Sequence, residues 1–464
     1  MPFTPPPEPA PALYAPDPQI GSLGPKIGDP VAAARFPKTI LRYRNDRWAA
    51  TVGLETLDEP QWLAHFGRFT PLPDNLTAPL ALRYHGHQFR NYNPDIGDGR
   101  GFLFAQLRDG AGRLLDLATK GSGTTPYSRD GDGRLTLKGG VREILATELL
   151  EALGVDTSKT FSLIETGEEL TRGDEPSPTR SAVLVRLSHS HIRIGTFQRI
   201  AFEQDAPMMR ALVDYCLRHF FGGQQGDDPV AEFFDHVTTR VATLAAGYMA
   251  TGFVHGVLNT DNINITGESF DYGPWRFMPY WEPGYTAAYF DHSGLYCYAR
   301  QPEALHWNLA QLGSALTLIG ASEPLIKTLE GFPRRYGEAY VGHMLWRLGR
   351  VPQGFDADKP LVMAIEAALA LKSVTLDQFF QDFRSGEPPQ DGAYAAPEFA
   401  TLRENLSAYA LTHDGSARQV AACSLHIEEV EAIWSAIAED DDWQPLQNKI
   451  SEIRGLGRWL RGAD

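Results

Sequence analysis

The chain has 464 residues, of which 43% are hydrophobic and 22% charged, and its formal net charge is −16. This length predicts two lobes or domains, and the composition is typical of a globular protein with a substantial core. The acidic balance disfavours general binding to nucleic acid or to anionic membranes, so any phosphate site must be a local basic pocket.

Three segments of different character follow one another along the chain. Residues 1–77 form an N-terminal extension that begins with a proline-rich arm, which we expect to be extended. Residues 78–200 alternate short apolar runs with Gly-Asp-Gly turns, which predicts strands, and one helix is predicted from about Lys138 to Leu153. Residues 201–464 are mainly helical by periodicity, including an amphipathic stretch from Ala231 to Thr251. This order predicts an α+β protein with a strand-rich first lobe and a mainly helical second lobe.

The first candidate site residue lies at the end of an apolar strand. Lys120 ends the run Leu117-Ala118-Thr119, and Glu143 lies on the next predicted helix. In protein kinases, a lysine at this position holds nucleotide phosphates and pairs with a glutamate on the following helix. A solvated lysine and a surface glutamate remain the alternative.

Basic and glycine-rich segments surround Lys120 in the sequence. Two Gly-Asp-Gly-Arg segments, at 97–100 and 131–134, could bring backbone amides and arginines to phosphate oxygens, although such segments are also common hairpin turns. Farther on, Arg186 and Arg193 are candidate anion ligands. A regular strand would place these two on opposite faces, so a turn must lie between them if both are to reach one phosphate.

The most informative segment follows the helix that ends near Thr251. His255 begins a run that ends in Asp261 and Asn262, and Asp271-Tyr272-Gly273 follows nine residues after Asn262. This arrangement matches the kinase pattern of His-Arg-Asp-x-x-x-x-Asn followed by Asp-Phe-Gly. Asn262 and Asp271 provide hard oxygen ligands that suit Mg²⁺ bound to substrate phosphates, although two unrelated turns would also contain these residue types.

One residue departs from the kinase pattern. Val257 occupies the place of the kinase catalytic aspartate and cannot accept a proton. The nearest carboxylate is Asp261, which could serve as the base if the nucleophile arrived from a different direction.

The candidate motifs form an ordered series between about Tyr84 and Asn308. The series comprises Gly86-His87-Gln88-Phe89, Gly97-Asp98-Gly99-Arg100, Lys120-Gly121-Ser122-Gly123, Thr125-Pro126-Tyr127-Ser128-Arg129, Gly131-Asp132-Gly133-Arg134, Arg142-Glu143, the 255–262 segment, Asp271-Tyr272-Gly273-Pro274 and His292-Ser293. This series closely resembles the selenoprotein O family of protein adenylyltransferases. The match covers about half of the chain.

The resemblance implies a protein-kinase-like fold with a strand-rich N-lobe at 78–200 and a helical C-lobe at 201–464, which binds ATP in a flipped orientation. It implies transfer of AMP from ATP to Ser, Thr or Tyr hydroxyls of proteins, with Mg²⁺ or Mn²⁺ as the metal. Carried over by motif, Lys120 would pair with Glu143, Asp261 would be the general base, and Asn262 and Asp271 would bind the metal. The nucleotide would contact Gly97, Gly99, Arg100, Lys120, Asp132, Gly133, Arg186, Arg193 and Asp271.

Cysteine usage bears on compartment and regulation. Cys216, Cys297 and Cys423 form no Cys-x-x-Cys pair, so a zinc site or disulfide framework is not expected and a reducing compartment fits better. Many members of the resembling family end in a redox-active Cys or selenocysteine, whereas this chain ends in Arg461-Gly462-Ala463-Asp464. The sequence shows neither a secretory signal nor an apolar run of about 18 residues, so we expect a cytoplasmic protein without a membrane partner.

Two other functions stay open at this point. A kinase-like phosphotransferase is disfavoured by Val257, because the usual base is absent. An ATP-binding pseudokinase scaffold is disfavoured by the retained Asp261, Asn262 and Asp271, because a scaffold does not need a complete metal site.

Overall fold

The computed structural model describes residues 3–8, 10–173, 175–384, 389–412 and 421–462. The strands in these ranges are β1 (Gly28–Pro30), β2 (Ile40–Arg44), β3 (Leu80–Leu82), β4 (Gly86–Gln88), β5 (Asn91–Asn93), β6 (Leu103–Arg108), β7 (Leu114–Lys120), β8 (Leu135–Thr136), β9 (Lys159–Leu170), β10 (Thr179–Ser188), β11 (Phe253–Val254) and β12 (Arg276–Phe277). The helices are α1 (Asp46–Ala50), α2 (Glu59–Phe66), α3 (Leu137–Ala152), α4 (Ile194–Phe202), α5 (Ala206–Phe220), α6 (Pro229–Thr251), α7 (Gln301–Leu316), α8 (Ser322–Glu330), α9 (Phe332–Arg347), α10 (Phe355–Leu369), α11 (Leu376–Arg384), α12 (Pro397–Leu406), α13 (Ile427–Asp440) and α14 (Gln444–Arg461). The predicted α+β class is confirmed, and the two helices predicted from periodicity correspond to α3 and α6.

One eight-stranded antiparallel sheet organises the first half of the chain, in the order β1-β3-β6-β7-β10-β9-β2 with β8 paired to β10. Successive side chains of a strand point to opposite faces. In β10, Leu184 packs in the core that includes α3, whereas Val183 and Val185 pack in the core that includes α1 and α2. The continuous apolar runs of the sequence therefore belong to strands that are covered on both faces.

The first 77 residues contribute to this sheet. β1 and β2 form its two edges, and α2 begins at a capping box in which Asp58 and Gln61 each accept a hydrogen bond from the other's backbone N–H. The described part of the proline-rich arm, 3–8 and 10–18, contains no helix or named strand and contacts the body of the protein. The Phe3 ring stacks on His343 at 4.1 Å between centroids, and the Ala12 N–H donates to the Ala50 carbonyl.

The long helix α6 leads into the loop that carries most of the candidate site. Asp228 caps its first turn by accepting from the Val230 and Ala231 N–H groups, and Pro229 occupies its first position. The helix ends at Gly252, which has φ of +70°, and a Cβ there would lie 2.6 Å from Leu376 Cδ1. The positive φ favours glycine at this position, and the chain then turns through β11 into residues 255–262.

The C-terminal helices return to the helix that carries Glu143. α14 packs along α3, where Arg454 donates to both carboxylate oxygens of Glu148, and Lys138 pairs with Glu431 of α13 at 2.7 Å. Residues from the end of the chain therefore help to hold α3 against the sheet. Ala463 and Asp464 lie outside the described residues. None of the helices in the described ranges is both long enough and apolar enough to cross a membrane.

Candidate functional site

A cavity of about 680 Å³ opens between the sheet and the loop that follows α6. Its walls come from segments far apart in sequence, because the ends of β7 and β10, the turns at 97–101 and 127–134, and the segment at 261–271 meet there. The cavity is lined by nearly all residues predicted from the sequence, namely Gly97, Gly99, Arg100, Lys120, Asp132, Gly133, Arg186, Arg193, Asp261 and Asp271. Two further predicted residues are not part of the lining: Glu143 is bonded to Lys120, which lines the cavity, and Asn262 follows Asp261 in the chain.

The predicted ion pair between Lys120 and Glu143 is present. Lys120 Nζ donates to Glu143 Oε2 at 2.9 Å and to the Tyr272 carbonyl at 3.1 Å. Arg186 adds a second cation, because its Nε and Nη2 donate to the two Glu143 oxygens. Burial favours a protonated Glu143, but the charges of Arg186 and Lys120 outweigh it and hold the pKa of Glu143 below its usual value.

Arg186 and Arg193 both reach one carboxylate, that of Asp271. The sequence predicted that this would need a turn between the two arginines, and the structure contains that turn. β10 ends at Ser188, and the chain turns before Arg193 caps the start of α4. Arg186 Nη2 lies 3.0 Å from Asp271 Oδ1, and Arg193 Nη1 lies 3.4 Å from Asp271 Oδ2. Burial acts to raise the pKa of Asp271, but Lys120, Arg186 and Arg193 dominate and hold that pKa well below its usual value. Three cations therefore surround the Asp271 carboxylate.

Arg193 is fixed by partners that sequence reasoning did not single out. Its Nη2 donates to Asp98 Oδ1 at 3.0 Å, and its guanidinium lies 4.4 Å from the centroid of the Tyr84 ring. Its Nη1 also donates to the Asp261 carbonyl at 2.9 Å. Asp98 lies inside a Gly-Asp-Gly-Arg motif, so the residue could be noticed in the sequence. Its bond to Arg193 could not be predicted, because the fold alone brings these two residues together.

Asp261 differs electrostatically from Asp271. It is 8% exposed, and its Oδ1 has no hydrogen-bond partner within the described parts of the chain. Burial raises the pKa of Asp261 to about 6, although the nearby Arg193 charge opposes the change. Gly86 of β4 leaves room for this carboxylate, because a Cβ there would lie 2.9 Å from Asp261 Oδ1. A buried carboxylate with a free oxygen and a pKa near neutrality has the properties of a general base.

The loop between His255 and Asn262 is held by its own hydrogen bonds. His255 is buried, its Nε2 donates to the Phe270 carbonyl at 3.0 Å, and its Nδ1 accepts from the Val257 N–H. His255 therefore links this loop to the residue before Asp271. Asn262 Nδ2 donates to the Val257 carbonyl at 3.0 Å, which leaves its Oδ1 as the atom able to bind a cation.

Asp271 and Asn262 could hold a metal ion only together with the phosphates of a bound substrate. Among the described residues no group of three or more His, Cys, Asp or Glu side chains could hold a metal ion. Mg²⁺, however, is commonly held by one or two protein oxygens together with substrate phosphates. The ionised Asp271 and the Oδ1 of Asn262 meet this requirement in chemical type.

The glycines of the two Gly-Asp-Gly-Arg turns are required by close packing of the turns themselves. A Cβ at Gly97 would lie 2.5 Å from the Tyr127 ring, and a Cβ at Gly99 would lie 2.8 Å from the Tyr127 carbonyl oxygen. Gly133 has φ of +68° and approaches Gly123. Asp132, between the second pair of glycines, accepts two hydrogen bonds from Arg172, a cavity residue that no sequence motif marked.

Comparison with known proteins connects this geometry to an enzyme class. Residues 13–408 match the family model described as "Protein adenylyltransferase SelO". A protein of Synechococcus elongatus named "Protein nucleotidyltransferase YdiU" is 42% identical over 97% of this chain and 95% of its own length. Proteins with the same name from Gloeobacter violaceus and Vibrio vulnificus are 44% and 35% identical, covering 94% and 75% of this chain and 94% and 73% of their own lengths.

Proposed function

Because this chain belongs to the SelO family of protein adenylyltransferases, we propose that it transfers AMP from ATP to hydroxyl groups of protein side chains. The acceptors would be Ser, Thr or Tyr residues. One observation supports this proposal most directly: two different carboxylates line the same cavity. The buried Asp261 has a raised pKa, and Asp271 is surrounded by three cations, namely Lys120, Arg186 and Arg193.

The cations would bind the phosphates of ATP. Lys120, Arg186 and Arg193 surround Asp271, and Arg100 lines the same cavity. Arg193 is positioned by Asp98 and by the Asp261 carbonyl, so its guanidinium is preorganised before the nucleotide arrives. The turns containing Gly97, Gly99, Asp132 and Gly133 would complete the nucleotide site. Positioning and charge stabilisation of this kind account for most catalysis of phosphoryl-type transfer.

Asp261 would accept the proton of the attacking hydroxyl. The hydroxyl oxygen would form a bond to the α-phosphorus, the bond from that phosphorus to the pyrophosphate oxygen would break, and the proton would pass to the Asp261 carboxylate. A pKa near 6 leaves this carboxylate mainly ionised at neutral pH and still a useful base. Val257, in the position of the kinase base, cannot take this role.

Asn262 and Asp271 would hold Mg²⁺, or Mn²⁺ in its place, together with the phosphates. When bound, the ion would neutralise charge on the phosphate oxygens. Lys120, held by Glu143, would keep its ammonium directed at the same phosphates.

The wider architecture belongs to the same proposal. We infer a protein-kinase-like fold with two lobes, in which 78–200 form the N-lobe, 201–464 the C-lobe, and 1–77 an N-terminal extension. The ion pair between a strand lysine and a helix glutamate supports this inference, as does the His255 to Asp271 segment. The three cysteines are buried free thiols, which is compatible with the proposed cytoplasmic location. Neither nucleic acid nor a membrane is proposed as a partner.

Labelled ATP tests the proposal. The purified protein is incubated with a protein acceptor, Mg²⁺, and ATP labelled at either the α- or the γ-phosphate. We expect covalent label from the α-position alone, and loss of that label in Asp261→Asn. Label from the γ-position would identify a phosphotransferase despite Val257. Bound ATP with no label from either position would favour a pseudokinase scaffold.

A further inference from the structure

A second cavity, of about 520 Å³, adjoins the nucleotide cavity and is strongly basic. The two cavities share Arg100, Lys120, Arg134 and Arg172 in their walls, so they lie side by side. The second cavity extends between the start of α3 and the segment that follows Asp271. We call it the basic groove and define it by its cations outside the Lys120 pair: Arg100, Arg134, Lys138, Arg142, Arg172 and Arg276.

The positive charge of this groove contrasts with the −16 charge of the whole chain. Some of its cations already have carboxylate partners, since Arg134 pairs with Glu168, Lys138 with Glu431, and Arg172 with Asp132. Arg100, Arg142 and Arg276 have no carboxylate within ion-pair distance among the residues that the structure describes. Glu175 also lines the groove, so its six cations stand against four carboxylates and the groove keeps a net positive charge.

The side chains of Arg142 and Arg276 are held in place by backbone carbonyls of the segment that follows Asp271. Arg142 Nη2 donates to the Trp275 carbonyl at 3.1 Å, and its guanidinium lies 4.8 Å from the centroid of the Trp275 ring. Arg276 Nη1 donates to the carbonyls of Pro274 and Trp275, each at 2.8 Å. Burial, reinforced by the charge of Arg276, lowers the pKa of Arg142 to about 10, so Arg142 remains charged at neutral pH. A bound anion would relieve the repulsion between these two fixed guanidiniums.

Two aromatic side chains border the groove and face solvent. Tyr289 is 77% exposed and Phe290 is 43% exposed, which is unusual for side chains of this size. Aromatic and arginine side chains together are the residue types enriched at surfaces that bind polypeptides. Exposed aromatic rings beside arginines give an extended peptide both apolar contact area and charge partners.

We propose that the basic groove binds an acidic polypeptide segment, the residues that flank the target hydroxyl of a protein substrate. This inference rests on the proposed function, because a hydroxyl placed beside ATP in the first cavity would leave its flanking residues in the second. Asp or Glu side chains of the segment would pair with Arg142 and Arg276, and its apolar side chains would contact Tyr289 and Phe290.

The test measures binding without turnover, so that it does not depend on AMP transfer. A fluorescent peptide with a central Ser flanked by Glu residues is titrated with the full-length protein, and anisotropy is followed. The same titration uses a peptide with Gln in place of each Glu, and the variants Arg142→Gln and Arg276→Gln. The control variant is Arg334→Gln, which removes an exposed charge of α9 far from the groove in sequence and paired only locally with Glu338.

We expect each groove variant to bind the acidic peptide about tenfold more weakly than wild type, and Arg334→Gln to bind like wild type. The Gln peptide should bind weakly to all four proteins, and added salt should weaken binding of the acidic peptide. Affinity for a fluorescent ATP analogue should be unchanged in Arg276→Gln and in Arg142→Gln. Arg276→Gln provides a second, independent variant if Arg142→Gln does not fold.

The inference would be overturned by equal binding of the Glu and Gln peptides, or by unchanged peptide affinity in both groove variants. A matching loss of nucleotide affinity in the groove variants would also overturn it and would assign the groove to the nucleotide. Tighter binding of an RNA oligonucleotide than of the peptide would overturn it as well and would assign the groove to polyanions in general. If the labelled-ATP experiment fails while the peptide result holds, the proposed function is wrong and the groove remains a polypeptide site.

Discussion

The variant Glu143→Gln tests the ion cluster on which the proposed phosphate site depends. Glu143 is 1% exposed, and its carboxylate accepts from Lys120 Nζ at 2.9 Å and from Arg186 Nη2 at 3.2 Å. The variant leaves two buried cations beside a neutral amide. Removing one member of a buried ion pair typically costs about 3–5 kcal/mol. Asp271 lies 3.2 Å from Lys120 and 3.0 Å from Arg186 and retains part of the compensation. We therefore expect a loss near the lower limit, about 3 kcal/mol.

The assay is urea unfolding at pH 7, followed by tryptophan fluorescence, for wild type and variant. The matched control is Glu338→Gln, which makes the same substitution in the ion pair with Arg334 on α9, where the arginine is largely exposed. An exposed pair contributes at most about 1 kcal/mol, so the control should unfold nearly like wild type. A loss in Glu143→Gln no larger than in Glu338→Gln would refute the reasoning, because the cluster would then not depend on the buried carboxylate.

Four further predictions concern the base, a turn and an arginine, the first two of them the base. Burial raises the pKa of Asp261 from 3.8 to about 6, against the opposing charge of Arg193. Because the base must be ionised, kcat/KM for AMP transfer should rise with pH through about 6 and then level off. A flat profile of kcat/KM between about pH 5 and 8 would contradict this prediction. The same carboxyl binds its proton more tightly in the folded protein, so its contribution to stability is full below about pH 4 and is lost as pH rises through about 6. At pH 8, Asp261→Asn should therefore be more stable to urea unfolding than wild type by about 3 kcal/mol, and a lower unfolding midpoint would refute the assignment. Gly101→Ala would place a Cβ 2.1 Å from the Thr119 carbonyl oxygen and should lower the free energy of unfolding, measured with heat or urea, by about 2 kcal/mol. Gly21→Ala is the control, because no atom beyond its chain neighbours lies within 4 Å of the added carbon, and it should lower that free energy much less. Similar losses in the two variants would argue against the clash. Arg193→Lys cannot keep the forked guanidinium contacts and should weaken binding of a fluorescent ATP analogue about tenfold, with an unchanged Kd counting against the proposed phosphate contact.

Local patterns made much of the candidate site predictable. Lys120 and Glu143 could be paired from sequence because a strand-end lysine followed by a helix glutamate matches the protein-kinase pattern. Asn262 and Asp271 could be assigned to one site because the segment from His255 to Gly273 matches the kinase catalytic-loop pattern. The convergence of Arg186 and Arg193 was predicted only as a condition, and the turn after β10 meets it.

Other features depended on contacts between distant parts of the chain. Asp98 could be seen in a motif, but its bond to Arg193 joins residues 95 positions apart. The glycines of the 97–100 turn were interpreted through phosphate access, whereas their surroundings are set first by Tyr127. The return of α14 to α3, where Arg454 pairs with Glu148 across 306 positions, has no local signature in either helix. Pairings of this kind are settled by the packed core and not by periodicity.

The central claim is that AMP, and not the terminal phosphoryl group, is transferred. The most direct test is intact-mass spectrometry of a protein acceptor after incubation with the full-length chain, Mg²⁺ and ATP, with the released product identified by chromatography. We expect a mass increase of one AMP group on the acceptor, with release of pyrophosphate, and neither change with Asp261→Asn. A mass increase of one phosphoryl group with release of ADP would contradict it.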